Sequence, residues 1–174
     1  MTQGSFFKSL LLHPVTKRHT QRRIIETPPR HLFQIIKDVD RYSEFLPLCS
    51  HSQVLRRQGP YFDATLTVGL PPIFSEKFVS RVHAIDSDDD LIVESKSIQS
   101  KLFDSLSSRW SLQGHPKGPN MGVETRVDFW MEMTVSDPII VAALDRVLEE
   151  VAGRQVAAFE ARCKAIPYEG KNYE

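Results

Sequence analysis

Val123-Glu124-Thr125-Arg126-Val127-Asp128-Phe129-Trp130-Met131-Glu132-Met133-Thr134-Val135 alternates without a break. Val123, Thr125, Val127, Phe129, Met131, Met133 and Val135 share one side, and Glu124, Arg126, Asp128, Trp130, Glu132 and Thr134 share the other. A period of two marks a β-strand, here with one bulky apolar face and one mostly charged face. Asp137-Pro138 then opens a helix, with an acidic cap and a proline in the first turn, where its missing N–H costs nothing. Ile140, Ala143, Leu144, Val147, Val151, Ala158 and Arg162 trace one stripe of that helix, with Ile139, Phe159 and Cys163 beside it and Pro167 ending it. About 28 residues at ~1.5 Å each predict a helix of roughly 42 Å. Arg154 and Gln155 interrupt the stripe, and Gly153 weakens the helix by about 1 kcal/mol relative to alanine. A sheet with one wet face needs a cover on the other, and this helix is the candidate cover.

The same alternation recurs upstream. Tyr61–Leu70 sets Phe62, Ala64, Leu66, Val68 and Leu70 against Tyr61, Asp63, Thr65, Thr67 and Gly69, and Pro71-Pro72 ends it. Residues 74–85 form a less regular strand with Phe78 and Val82 on one side. Residues 91–98 and 105–113 form two more, the latter with Leu106, Ser108, Trp110 and Leu112 on one face. Residues 18–26 read as a first strand. Thr27-Pro28-Pro29 starts a helix, with Thr27 as cap and Leu32, Ile35, Ile36 and Val39 as its buried stripe, and Phe33 at the stripe's edge. Residues 114–120 read as a loop. The order strand, helix, run of strands, long helix implies a single α+β domain built on an antiparallel sheet.

With 174 residues, 41% hydrophobic and 25% charged, the chain fits one domain with a sizeable core. The net charge is zero but unevenly placed. Lys8, Lys17, Arg18, Arg22 and Arg23 have no acidic neighbour within residues 1–25, leaving 17 basic against 22 acidic residues in the body. That body lacks the basic footprint of a nucleic-acid binder. The basic, acid-free start, with Phe6, Phe7, Leu10, Leu11 and Leu12, is compatible with a mitochondrial transit peptide. No stretch reaches the ~18–20 apolar residues that cross a bilayer.

Catalytic and metal signatures are absent from the sequence. There is no Gly-x-Ser-x-Gly, Gly-x-Gly-x-x-Gly, phosphate loop or His-Glu-x-x-His. His13, His19, His31, His51, His83 and His115 are scattered and read as surface residues. Cys49 and Cys163 make neither a disulfide framework nor a paired metal motif. Asp86-Ser87-Asp88-Asp89-Asp90 lacks the glycine and distal glutamate of a calcium loop and reads as a solvated turn. No catalytic residue, catalytic cofactor or metal is therefore expected.

Asp38-Val39-Asp40-Arg41-Tyr42-Ser43-Glu44-Phe45-Leu46-Pro47-Leu48-Cys49 is too rich in Tyr, Phe, Leu and Pro to lie open to water, so it should fold over apolar surface. The segment resembles the Val-Asp-x-Tyr-Pro-Glu-Phe-Leu-Pro-Trp-Cys motif of the coenzyme Q-binding branch of the START-like (polyketide cyclase/lipid transport) superfamily. Val39, Asp40, Tyr42, Glu44, Phe45, Leu46, Pro47 and Cys49 fit it, while Ser43 replaces a usual proline and Leu48 a frequent tryptophan. The likeness covers roughly residues 18–166.

The resemblance implies the helix-grip fold, a curved sheet wrapped around the C-terminal helix. It implies a basic tail over 1–17, a lipid- or quinone-binding domain over 18–166 and a polar tail over 167–174. It implies a non-catalytic protein that binds ubiquinone and supports its biosynthesis and its part in respiration. The location implied is peripheral, on the matrix side of the mitochondrial inner membrane, with ubiquinone and that membrane as partners and no nucleic acid. The expected cavity and lid comprise Tyr42, Glu44, Phe45, Leu46 and Pro47 from the loop. The sheet would add Leu66, Phe78, Phe129, Met131 and Met133, and the helix Leu144, Val147 and Val151. Glu44 has two readings, a contact to a bound headgroup and a carboxylate capping nearby backbone N–H groups. An apolar strand face serves a guest and a packed core equally well, so alternation alone leaves that choice open. Two other functions stand beside ubiquinone binding: a cyclase/aromatase-like enzyme, which would need acid–base groups facing its guest, and a ribosome-associated module like some bacterial relatives.

Overall fold

The computed structural model describes residues 13–88, 90–117 and 122–168. It is a seven-stranded antiparallel sheet with a long helix across its concave side. The strands are β1 (Val15–Ile25), β2 (Cys49–Gln58), β3 (Tyr61–Leu70), β4 (Phe74–Asp86), β5 (Leu91–Gln99), β6 (Ser105–Pro116) and β7 (Val123–Val135), in the order β1-β7-β6-β5-β4-β3-β2. β1 and β2 are therefore neighbours in sequence and opposite edges in space. The chain crosses between them through α1 (Pro29–Lys37), a 3-10 turn (Val39–Arg41) and the single-turn α2 (Tyr42–Phe45), then meanders back by hairpins to β7. The expected helix-grip architecture is the one observed, with α3 (Pro138–Ala165) as the gripped helix.

Local chemistry explains most boundaries. Asp137 caps α3, its Oδ1 accepting from the N–H of Ile139 at 2.8 Å and of Ile140 at 3.3 Å. Thr27 does not cap α1. Its carbonyl instead accepts from Thr125 Oγ1 at 2.6 Å, which ties the start of α1 to β7, and Pro28 holds the N-cap position. α1 stops at Lys37, and Val39 reaches the core from the 3-10 turn. Phe33, expected at the edge of the stripe, is fully buried. β1 begins at Val15, three residues before the expected start, and Val15 pairs with Val135. β6 runs on to Pro116, into residues expected as loop. The acidic stretch splits, with Asp86 ending β4 and Asp89 outside the described residues.

The buried stripe of α3 runs through Ile140, Ala143, Leu144, Ala152, Val156, Phe159 and Cys163. Ile139 is 70% exposed, and Arg162 lies on the flank. At 3.6 residues per turn, positions 152, 156, 159 and 163 lie on average roughly 130° around the helix from 140, 143 and 144, so the buried face rotates along α3 where the expected stripe, ending on Ala158 and Arg162, kept to one side. Both thiols are buried, and burial raises both, that of Cys163 to about 11, so they stay protonated as packing groups.

The convex face of the sheet is laced by cross-strand ion pairs. Arg18 meets Glu132 and Arg22 meets Asp128, each at 2.5 Å, and Arg109 meets Glu94 at 2.7 Å. Asp63 is the most enclosed of these acids, with Arg81 Nε on Oδ1 at 2.8 Å and Arg56 Nε on Oδ2 at 2.9 Å. The bond from Arg81, helped by Arg56, outweighs burial and holds its carboxyl at about 2, against an ordinary 3.8. A depressed carboxylate stabilises the fold above its unfolded value and loses that contribution as pH falls through its folded value. The wild type is therefore expected to lose stability between pH 3.8 and 2, where Asp63→Asn should show a flatter thermal midpoint. Equal slopes for the two proteins would contradict the pairing.

Gly69 lies where β3 meets the β3–β4 turn. A Cβ there would sit 2.7 Å from the Phe74 carbonyl oxygen and 3.0 Å from Ser75 Cα. Both obstacles are backbone, so no rotamer change relieves them. Gly69→Ala is expected to cost about 1–3 kcal/mol in urea unfolding. A loss within a few tenths of a kcal/mol of zero would mean that the hairpin yields freely.

Candidate functional site

The buried side chains form two clusters. One gathers α1, the lower part of α3 and the sheet around Phe62, Val82, Val93, Trp110, Phe129 and Phe159. The other gathers Phe78, Phe103, Met133, Val135, Ile140 and Leu144 under the start of α3. Leu66 and Met131 pack against both. Between them α3 does not close on the sheet, and a cavity of about 210 Å3 remains.

The sheet supplies the floor: Leu66 and Val68, Phe78 and Val82, Val93, Leu106 and Trp110, Met131 and Met133. Leu144, Leu148, Val151 and Gln155 of α3 form the roof. Ile36, Val39, Tyr42, Leu46, Pro47 and Leu48 of the crossing segment form the third side. Polar groups are few: Ser80, Ser95, Ser108, Gln155, the Cys49 thiol and Tyr42. Tyr42 is already engaged, donating its Oη proton to the Ile36 carbonyl, and burial raises its phenol so that it stays neutral. Leu48 is held at φ 63°, the left-handed region that suits glycine, and its carbonyl accepts from Gly69 N at 3.0 Å. That strained turn aims an apolar side chain at the cavity.

Glu76, missed in the sequence, shapes another wall. It is 8% exposed, and its Oε1 accepts from Lys101 N at 2.6 Å, Ser100 Oγ at 2.8 Å and Leu102 N at 3.1 Å. Burial alone would raise this carboxyl, but the three donors lower it. The β5–β6 loop is thereby fixed with Phe103 against Phe78, ring centroids 5.8 Å apart. An acid at an inward position of β4 was the only sequence signal for this role.

Of the residues expected around a guest, Tyr42, Leu46, Pro47, Leu66, Phe78, Met131, Met133, Leu144 and Val151 border the cavity. Three do not. Glu44 points to the outer surface of α2, its Oε1 accepting from Arg41 at 2.7 Å and its Oε2 from Arg162 of α3 at 2.6 Å. Those two guanidiniums, Arg41 first, hold its carboxyl below the ordinary value. It straps α2 to α3, and its hydrogen bonds go to guanidiniums, not to the backbone N–H groups of a cap. Phe45 joins the same strap, edge-on to Phe159 at 5.2 Å and under Arg162 at 5.3 Å. Phe129 is fully buried beside Trp110, its cross-strand partner, with centroids 4.5 Å apart, and does not line the cavity. Val147 lies in α3, but its side chain is outside the described residues.

Residues 25–160 match the family described as polyketide cyclase/dehydrase and lipid transport. The chain belongs to that family. It is similar to the mitochondrial coenzyme Q-binding protein of Saccharomyces cerevisiae, 33% identical over 60% of this chain and 51% of that protein. The match thus spans about half the length of the yeast relative. It is also similar to the ribosome association toxin of Pseudomonas aeruginosa, 30% identical over 85% of this chain and 96% of that one. Among solved structures, a START superfamily protein from Mycobacterium smegmatis superposes with a TM-score of 0.69 at 17% identity. It covers 86% of this chain and 99% of its own, which fixes the fold alone.

Proposed function

We propose that this family member holds a ubiquinone-type lipid in the cavity between sheet and α3, as a binding protein without catalysis. The supporting observation is the apolar gap in an otherwise packed core, in a chain whose relatives include proteins named for coenzyme Q binding. Its volume falls short of the ~300–1,000 Å3 of sites that enclose whole drug-sized ligands. The cavity therefore suits the ring and first units of a long lipid, with the remaining tail leaving past Leu46, Pro47 and Leu48. Burying a few hundred Å2 of such a guest at ~25 cal/mol per Å2 yields several kcal/mol before the costs of association. The polar groups on the wall are hydroxyls, a thiol and an amide, with no His, Asp or Glu among the described lining residues. That favours retention over acid–base chemistry of the cyclase kind. The same reading places the protein on the matrix side of the mitochondrial inner membrane, serving respiration and quinone biosynthesis.

Organic extraction of the purified chain, followed by mass spectrometry, tests this reading. Stoichiometric ubiquinone is expected. A protein that is empty, and that takes up no added ubiquinone, would refute it.

The near full-length match to a ribosome association toxin favours one other reading, a module that docks on ribosomal subunits. Co-sedimentation with subunits at physiological salt is its test, since contacts that rest on phosphate weaken steeply with salt.

A further inference from the structure

The floor of the cavity is not uniformly apolar. Ser95 of β5 and Ser108 of β6 stand opposite each other on the concave face, their hydroxyl oxygens 2.8 Å apart. Val82 and Met131 flank this pair in the same cross-strand row. Ser80 of β4, 5% exposed, is the diagonal neighbour of Ser95, two residues along from Val82. From the roof, Gln155 of α3 borders the same space.

Inward positions of a covered sheet are normally filled by apolar side chains, as in the neighbouring row of Ala84, Val93, Trp110 and Phe129, whereas the row on the other side pairs Ser80 with Ser97. Serine here does two things. It leaves room, because its side chain ends where a Val or Leu would occupy the gap. It also presents protons. When two hydroxyls share one hydrogen bond, one O–H is used and the other remains free to donate. A donor facing an apolar wall is costly unless something accepts from it. A pure hydrocarbon cannot accept, whereas a ring carrying carbonyl and ether oxygens can.

We infer that Ser80, Ser95 and Ser108 seat the oxygen-bearing ring of the guest, which enters head first and leaves its hydrocarbon tail toward the Leu46–Leu48 side. This rests on the quinone-binding reading and adds to it the orientation of the guest and the groups that recognise its head.

Trp110 borders the cavity, and the chain's other tryptophan, Trp130, lies on the convex face. In a Trp130→Phe background, quenching of Trp110 therefore reports a quinone in the cavity. Ubiquinone-2 would be titrated by this signal. Squalene, an isoprenoid with no oxygen, would be followed by gel filtration and extraction. Ser95→Ala/Ser108→Ala is expected to weaken ubiquinone-2 by about tenfold and leave squalene uptake unchanged. Ser80→Ala, which leaves the Ser95–Ser108 bond intact, is expected to weaken ubiquinone-2 by about threefold, and it decides the matter if the double variant does not fold. Ubiquinone-2 affinity within a factor of 1.5 of wild type in the folded variants, or an equal fall for squalene, overturns the inference while the quinone-binding reading stands. A wild type that takes up neither probe overturns both.

Discussion

Phe159→Ala is expected to destabilise the fold by about 3–5 kcal/mol, the usual cost of truncating a fully buried aromatic side chain. Phe159 has no exposed surface and is the point where three elements meet. Its ring packs edge-on against Trp110 of β6 at 4.8 Å, Phe45 at 5.2 Å and Tyr42 at 5.3 Å. Alanine would leave a hole bounded by three other aromatic rings, none of which can shift without breaking its own contacts. Tyr42, for instance, is anchored to the Ile36 carbonyl. A domain with a total stability of about 5–15 kcal/mol would be left marginal. The check is urea unfolding with the slope held in common, alongside Phe159→Leu, which keeps most of the volume and should cost well under half as much. A loss below 1 kcal/mol for the alanine variant would mean that α3 is not clamped to the crossing segment at this point. The Glu44–Arg162 strap is much weaker support, because water and salt screen an exposed ion pair.

On the proposed quinone-binding function, Ser108→Phe is expected to abolish ubiquinone retention while leaving the protein folded. The serine is on the cavity side of β6, between Ser95 and Met131, so a ring at this position projects into space that is vacant in the structure. Filling a void adds apolar contact, which offsets the hydrogen bond lost by Ser95. The thermal midpoint should therefore move little, whereas ubiquinone recovered by extraction should fall to below about a tenth of the wild-type amount, a loss of more than ~1.4 kcal/mol in retention. Ser107→Phe is the control. It lies one residue away on the opposite face, paired with Lys96 and Glu132, and should retain its guest in full. Equal retention in the two variants would show that the cavity is not where the quinone sits.

What was legible in the sequence depended on how local the signal is. The alternation of 123–135 identified β7 and its inward side because period two needs only the strand itself. β2 carried no such signal: it is an edge strand in which only Cys49 and Ser52 are buried, and its pairing slips at two places. The helix expected to run on to Val39 was misjudged because a 3-10 turn delivers an apolar side chain to the same core as another helical turn would. Strand alternation likewise carried Leu66, Phe78, Met131 and Met133 to the cavity. Phe129 obeys the same alternation yet ends in solid packing against Trp110, while Ser95, Ser108 and Gln155, none of them expected around a guest, face the gap. Glu44 and Phe45 sit within the most recognisable motif of the chain, and their partners, Arg162 and Phe159, come from more than 100 residues away.

The sequence by itself determined an antiparallel sheet with one charged and one covered face, a long capped helix to cover it, and membership of the polyketide cyclase/dehydrase and lipid transport family. The sheet and the helix follow from side-chain periodicity and capping chemistry, which act over a few residues, and the family from the resemblance carried by Asp38–Cys49. Only the tertiary structure decided that the core divides into two clusters with a serine-floored cavity between them. A cavity is a shortfall of volume between two surfaces. Whether an inward side chain meets a neighbour or empty space depends on where α3 lies across the sheet.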